Sequence, residues 1–226
     1  MTMTSRRNLP SRRLKVGAAV LAGAEVVDTK LVSARLRVFT AVQREYVEAQ
    51  RKVEEADARL DAERRGLAEL DAVHDAAVEQ LAISLVNEGQ PRTNPFAAFD
   101  ADSPSVIKRL APEDAARAGR ALLTALSRSD TLSQASLEAG RRVEQATQRI
   151  EAALAPLQAR QDEWRAARHM AEVIGQRFDT AVSALRRAAR AAADDGAAAL
   201  DAALVPPPLP RAAKKVKAPE VAAPAA

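Results

Sequence analysis

Residues 39–81 read FTAVQREYVEAQRKVEEADARLDAERRGLAELDAVHDAAVEQL, and the spacing of their apolar side chains decides the fold. Phe39, Tyr46, Val53, Leu60, Leu67, His74 and Leu81 recur every seventh residue, and Val42, Ala49, Ala56, Leu70 and Ala77 fill the slots three residues later. A second run has the same form. Val143, Ile150, Leu157, Trp164, Ala171, Phe178 and Leu185 take the first slot, and Ala146, Ala153, Ala167, Ile174, Ala181 and Ala188 the second. Seven-residue spacing holds one narrow stripe of a helix toward a single partner, as a coiled coil requires. The second slot is mostly alanine in both runs, which lets two backbones approach closely. Glu63, Ser129, Ser136 and Arg160 interrupt the pattern, so the seam is imperfect.

Upstream, Val20, Ala24, Val27, Leu31, Ala34 and Val38 share a stripe that begins near Val16. It slips by one residue at Val38–Phe39, and such a slip marks a bend or a change of partner. Gly89, Pro91, Asn94, Pro95, Asp100, Asp102 and Pro104 form a dense cluster of turn residues. Ser103-Pro104 suits a short helix through Leu110, and Pro112 with Glu113 and Asp114 suits the start of a longer one. Ser127–Ser136, rich in hydroxyls, and Pro156 are weak points farther along the chain. The run Pro206-Pro207-Pro208-Leu209-Pro210 stops helix altogether.

These signals predict an all-α fold: a long antiparallel helical hairpin, an alanine-rich coiled coil. Arm one spans 16–88, the loop 89–111 and arm two 112–204. A disordered basic arm (1–15) precedes the hairpin, and a disordered Pro/Ala/Lys-rich tail (206–226) comes after it. The first arm would reach on the order of 100 Å at ~1.5 Å per residue. Val73, Val78, Leu154, Met170 and Val182 lie outside the strict stripe and call for further helices, most simply from a second copy dimerising into a four-helix bundle. The rival fold breaks the arms at Gly66, Ser127–Asp130 and Pro156 into a shorter four-helix bundle.

Composition agrees with helices. Aromatic residues make up 3% of the 226-residue chain, little for a compact globule but enough for thin alanine-rich seams. There is no cysteine, which excludes disulfides and thiolate metal sites. No apolar run approaches the ~20 residues of a transmembrane helix. Residues 16–22 are too short and alanine-diluted for a convincing export signal, so a cytoplasmic location is the default expectation. The net charge of +4 conceals an asymmetry: residues 1–15 carry +5 and residues 206–226 carry +3, leaving a net-acidic body.

The basic ends are therefore the candidate site for an anionic partner: Arg6, Arg7, Arg12, Arg13, Lys15, Arg211, Lys214, Lys215 and Lys217. In a hairpin both termini emerge together and their cations pool, a natural ligand for nucleic-acid phosphates or an anionic surface. No aromatic residue interleaves with them, which argues against single-strand stacking. The alternative is that these segments only solubilise. Phe96 and Phe99, at the presumed tip, form a second candidate site as anchors for a partner groove; the alternative, which we prefer, is that they fold back and cap the core. His74 occupies a core slot, where a polar residue fixes register or packs in a pH-sensitive way. His169, beside Arg165, Arg168 and Glu172, belongs to a solvated face. Asp71-x-x-His74 is the nearest approach to a ferritin-like Glu-x-x-His ligand pair, but it occurs once and with the wrong acid. The scattered glycines make no phosphate loop. No metal, cofactor or catalytic site is expected.

Lys214-Lys215-Val216-Lys217, set among alanine and proline, resembles the lysine-alanine-proline tails of bacterial nucleoid proteins and of polyester-granule phasins. That resemblance implies sequence-independent contact with an anionic partner. The hairpin as a whole resembles, in architecture alone, the stalk subunits of bacterial secretion or rotary ATPases, which normally lack such a tail. Three functions are therefore expected: a non-enzymatic coiled-coil scaffold or adaptor with protein partners and possible self-association, a nucleic-acid-binding architectural protein, and a stalk subunit of a secretion ATPase.

Overall fold

The computed structural model describes residues 9–129 and 131–205, and these contain helices and no strand. In chain order they are α1 (Leu9–Glu25), a 3-10 turn (Lys30–Val32), α2 (Ser33–Asn87), a 3-10 turn (Ala97–Phe99), α3 (Pro104–Ile107), α4 (Pro112–Leu126), α5 (Gln134–Asp194) and α6 (Ala198–Leu204). The expected all-α class is what is found. The chain divides into two compact units: residues 48–172 form one, and the described residues on either side of that segment form the other.

The seven-residue stripe is the buried face. Leu60, His74 and Leu81 of α2 and Val143, Ile150 and Leu185 of α5 are at most 1% exposed. Within residues 48–172 the two helices run antiparallel, as the cross-pairs Glu63–Arg160 (3.8 Å), Gln80–Arg142 (2.8 Å) and Glu88–Ser133 (3.2 Å) require. Each long helix ends in a Schellman motif at a glycine with positive φ. Gly89 (φ +96°) follows α2, with Gln90 N–H bonded to Leu85 C=O. Gly196 (φ +102°) follows α5, with Ala197 N–H bonded to Ala192 C=O. Ser133 opens α5 as its N-cap, its Oγ accepting the Ser136 N–H at 3.2 Å.

Four expectations are corrected. Residues 9–15 are the first turns of α1, not a disordered arm. Pro10 stands in the first turn, where its missing N–H is tolerated, and Leu9 and Val16 turn partly inward beside a buried Arg13. Arm one is not one helix, because residues 26–32 separate α1 from α2. Arm two breaks at 127–133 and again at 195–197. The break at Pro156 that the rival fold required is absent: α5 runs through Pro156, which lies on an exposed face with Ala152 exposed too, so water can satisfy the carbonyl that lost its donor. The need for extra helices is met in part within the chain. Val78 is covered by α4 and the 89–111 segment, and Val182 by α1, while Val73 and Met170 stay 49% and 57% exposed. Residues 1–8 and 206–226, with the expected tail, lie outside the described residues.

Candidate interaction surfaces

In residues 48–172, α4 lies along the seam between α2 and α5. Leu122, Leu126, Ala115 and Ala116 turn inward, and Gly119 faces His74. A Cβ on Gly119 would stand 2.9 Å from both His74 Nε2 and Thr147 Oγ1. Only a glycine lets α4 come this close. His74 is 0% and Thr147 2% exposed, and neither imidazole nitrogen nor the Thr147 hydroxyl has a hydrogen-bond partner. Burial holds the imidazole pKa below its ordinary value, against a smaller upward pull from Asp75 and Asp71. A neutral histidine therefore fills a core slot. Among the described residues, no group of three His, Asp or Glu side chains is placed to hold a metal. His169 is exposed.

Phe96 and Phe99 are not a projecting tip. Asn94 accepts the Phe96 N–H (3.1 Å) and donates to Ala101 C=O (3.2 Å), which turns the segment back on itself. Phe96 is 0% exposed, packed with Val78, Leu85, Ile107 and Leu122, and Phe99 is half-buried against the same cluster. The partner-anchor reading fails for Phe96 because apolar burial at the end of the seam offers more than exposure on a loop. What remains open is the face of the seam that α4 does not cover. There Val73, Ala76, Gln80 and Ile83 of α2 stand across a groove from Ala135 and Arg142 of α5.

In the other unit, α1 sits against α2, α5 and α6. Arg13, 5% exposed, donates to Asp179 (Nη2–Oδ2 2.6 Å, Nε–Oδ1 3.2 Å) and lies 5.7 Å from the centre of the Tyr46 ring. Its hydrogen bond to Asp179 raises the guanidinium pKa further, outweighing the burial that opposes it. Phe178 packs against Phe39 and Tyr46 at centroid distances of 5.6 Å. Three glycines make the approach possible. A Cβ on Gly175 would overlap Arg13 Nη1, one on Gly17 would overlap Gln43 Oε1, and one on Gly23 would overlap the Ala203 carbonyl.

Of the nine basic residues expected to meet an anionic partner, Arg12 and Lys15 are exposed on α1. Arg13 is not available, since it is the buried half of the ion pair. Arg6, Arg7, Arg211, Lys214, Lys215 and Lys217 lie outside the described residues. The Arg13–Asp179 pair and the helix-facing glycines are not foreseen from the sequence. The available signal was glycine inside helical pattern, which costs about 1 kcal/mol against alanine and so asks for a packing reason. No helix among the described residues is long and apolar enough to cross a membrane. No family model, curated protein or solved structure matches this chain.

Proposed function

We propose that this chain is a non-enzymatic coiled-coil scaffold or adaptor that meets a protein partner along the groove α4 leaves open and carries basic ends. The supporting observation is the asymmetry of the seam in residues 48–172. One side is closed by α4, while the other exposes Val73 (49%) and Ile83 (57%) around Ala76, Ala135 and the Gln80–Arg142 hydrogen bond, a mixed apolar and polar strip for a partner helix. A photo-crosslinking side chain placed at Val73 or Ile83 of the full chain in its own cells tests this, with exposed Arg64 as the control position. Discrete protein adducts at the two groove positions and none at Arg64 are expected. No adduct, or the same adducts at all three, would refute the reading.

A second reading, sequence-independent binding to nucleic acid, is favoured by where the described chain begins and ends. The close approach of Gly23 to Ala203 sets the root of the 206–226 segment beside the C-terminal end of α1. Residues 1–8 join the other end of the same helix, about 20 Å away at 1.5 Å per residue. Binding of duplex DNA across a salt series would be steep in salt and indifferent to sequence. Full-length protein carrying Arg6→Gln, Arg7→Gln, Lys214→Gln, Lys215→Gln and Lys217→Gln would lose it, with Arg13 left in place to preserve the fold. Unchanged affinity in that variant would exclude this reading.

A further inference from the structure

The stripe Val20, Ala24, Val27, Leu31, Ala34, Val38 has the alternating four-and-three spacing of a coiled coil. That spacing presents one face only if all six residues lie on a single helix. In the folded chain they do not: the break at 26–32 divides them. Val20 is buried and Ala24 and Val27 pack partly against the same core, but Leu31 and Val38, beyond the turn, are 70% and 54% exposed. The stripe is also one residue out of phase with the seam that begins at Phe39. One residue is about 100° around a helix, so on a straight α1–α2 helix the stripe would face about 100° away from the seam that α5 occupies. Nothing in the break forbids helix, since no glycine or proline occurs between Gly23 and Gly66. The turn is held locally, by the Lys30 N–H on Asp28 Oδ1 at 3.1 Å.

The seat of α1 has a matching character. It is specific, through the Arg13–Asp179 pair and the glycine contacts at 17, 23 and 175, yet Val20 is the one apolar side chain of α1 that is fully buried. A seat of this kind selects α1 through its ion pair and close backbone approaches, with Val16, Leu21 and Ala24 adding partly buried apolar area around Val20. Every copy of the chain carries the same helix and the same seat, so a second copy satisfies both without any new complementarity.

We infer that α1 is an exchangeable helix, seated on its own chain when the 26–32 break is bent and on a second copy of this chain when the break straightens into one α1–α2 helix. Straightening aligns the stripe on one face, and the two-fold-related copy supplies its partner. The arrangement holds whichever partner the open groove or the basic ends bind.

Two full-length variants test this. R13D sets two carboxylates against each other in its own seat, and D179R sets two guanidinium groups against each other, so neither variant alone can form the native pair. In a mixture, α1 of D179R still carries Arg13 and the seat of R13D still carries Asp179, so a native seat exists only between chains. The equimolar mixture is expected to give a species of twice the 24.1 kDa chain mass, more heat-stable than either variant alone. A mixture that stays monomeric overturns the inference. The wild-type chain is expected to dimerise as its concentration approaches the roughly millimolar effective concentration of a short tether. Thr29→Pro, which places a ring where a continuous α1–α2 helix needs a backbone N–H, should disfavour the straight form and abolish that dimer. A wild-type chain monomeric throughout that range, or a dimer that survives in T29P, overturns it equally.

Discussion

Arg13 carries the charge most firmly committed to the fold. With the guanidinium 5% exposed and its carboxylate partner about half exposed, Asp179→Asn leaves a buried cation with only a neutral acceptor. A hydrogen bond to a charged group contributes about 1.5–3 kcal/mol, and because one neutral acceptor remains, urea unfolding of D179N should show a loss toward the lower end of that range. His74 acts in the opposite sense, as a group that must stay neutral. The unfolded chain takes up a proton at the ordinary histidine value of 6.5, whereas burial makes the folded chain resist it. Stability should therefore be level above that pH and fall as pH drops below 6.5, until the lowered folded pKa is reached. His74→Phe, which keeps a flat ring against Gly119, should remove this dependence below pH 6.5. A slope unchanged in that variant would assign it to other groups.

At the scale of elements, the glycines separate positions that look alike in the sequence. Gly66 and Gly119 both lie inside helices. A Cβ on Gly66 meets nothing within 4 Å, whereas one on Gly119 meets His74 and Thr147 at 2.9 Å. Gly66→Ala should raise stability by about 0.5–1 kcal/mol through helix propensity. Gly119→Ala should lower it, because overpacking of about 1–3 kcal/mol outweighs the same gain. Thermal melts of the two variants should move in opposite directions. The long elements were legible because a heptad stripe is a tertiary pattern written in sequence: Leu60, Leu67, Leu81, Val143 and Ile150 are buried where the spacing put them. Gly89 and Pro112 marked boundaries by backbone chemistry alone. The break at 26–32 was not legible, because its residues permit helix and include no glycine or proline. Gly196 was legible in principle, as a glycine after an alanine-rich run, but the apolar pattern continuing through Leu200 and Leu204 masked it. The candidate surfaces were less readable still. Phe96 can anchor a partner or cap a core, and that choice rests on Val78, Ile107 and Leu122, distant from it in the chain.

For the molecule as a whole, the deciding question is which faces the chain covers by itself. In each unit the two long helices are completed by short ones: α4 in one, α1 and α6 in the other. What they leave bare is what the proposed function uses. Amide hydrogen exchange of the full-length protein tests this division most directly, since protection follows burial and cooperative opening. The slowest exchange is predicted in α2 around Leu81 and in α5 around Val143, with α4 from Ala115 to Leu122 protected nearly as strongly and opening together with them. Exchange of α4 at the rate of an unstructured linker, with α2 and α5 still protected, would describe a bare two-helix hairpin and contradict the account.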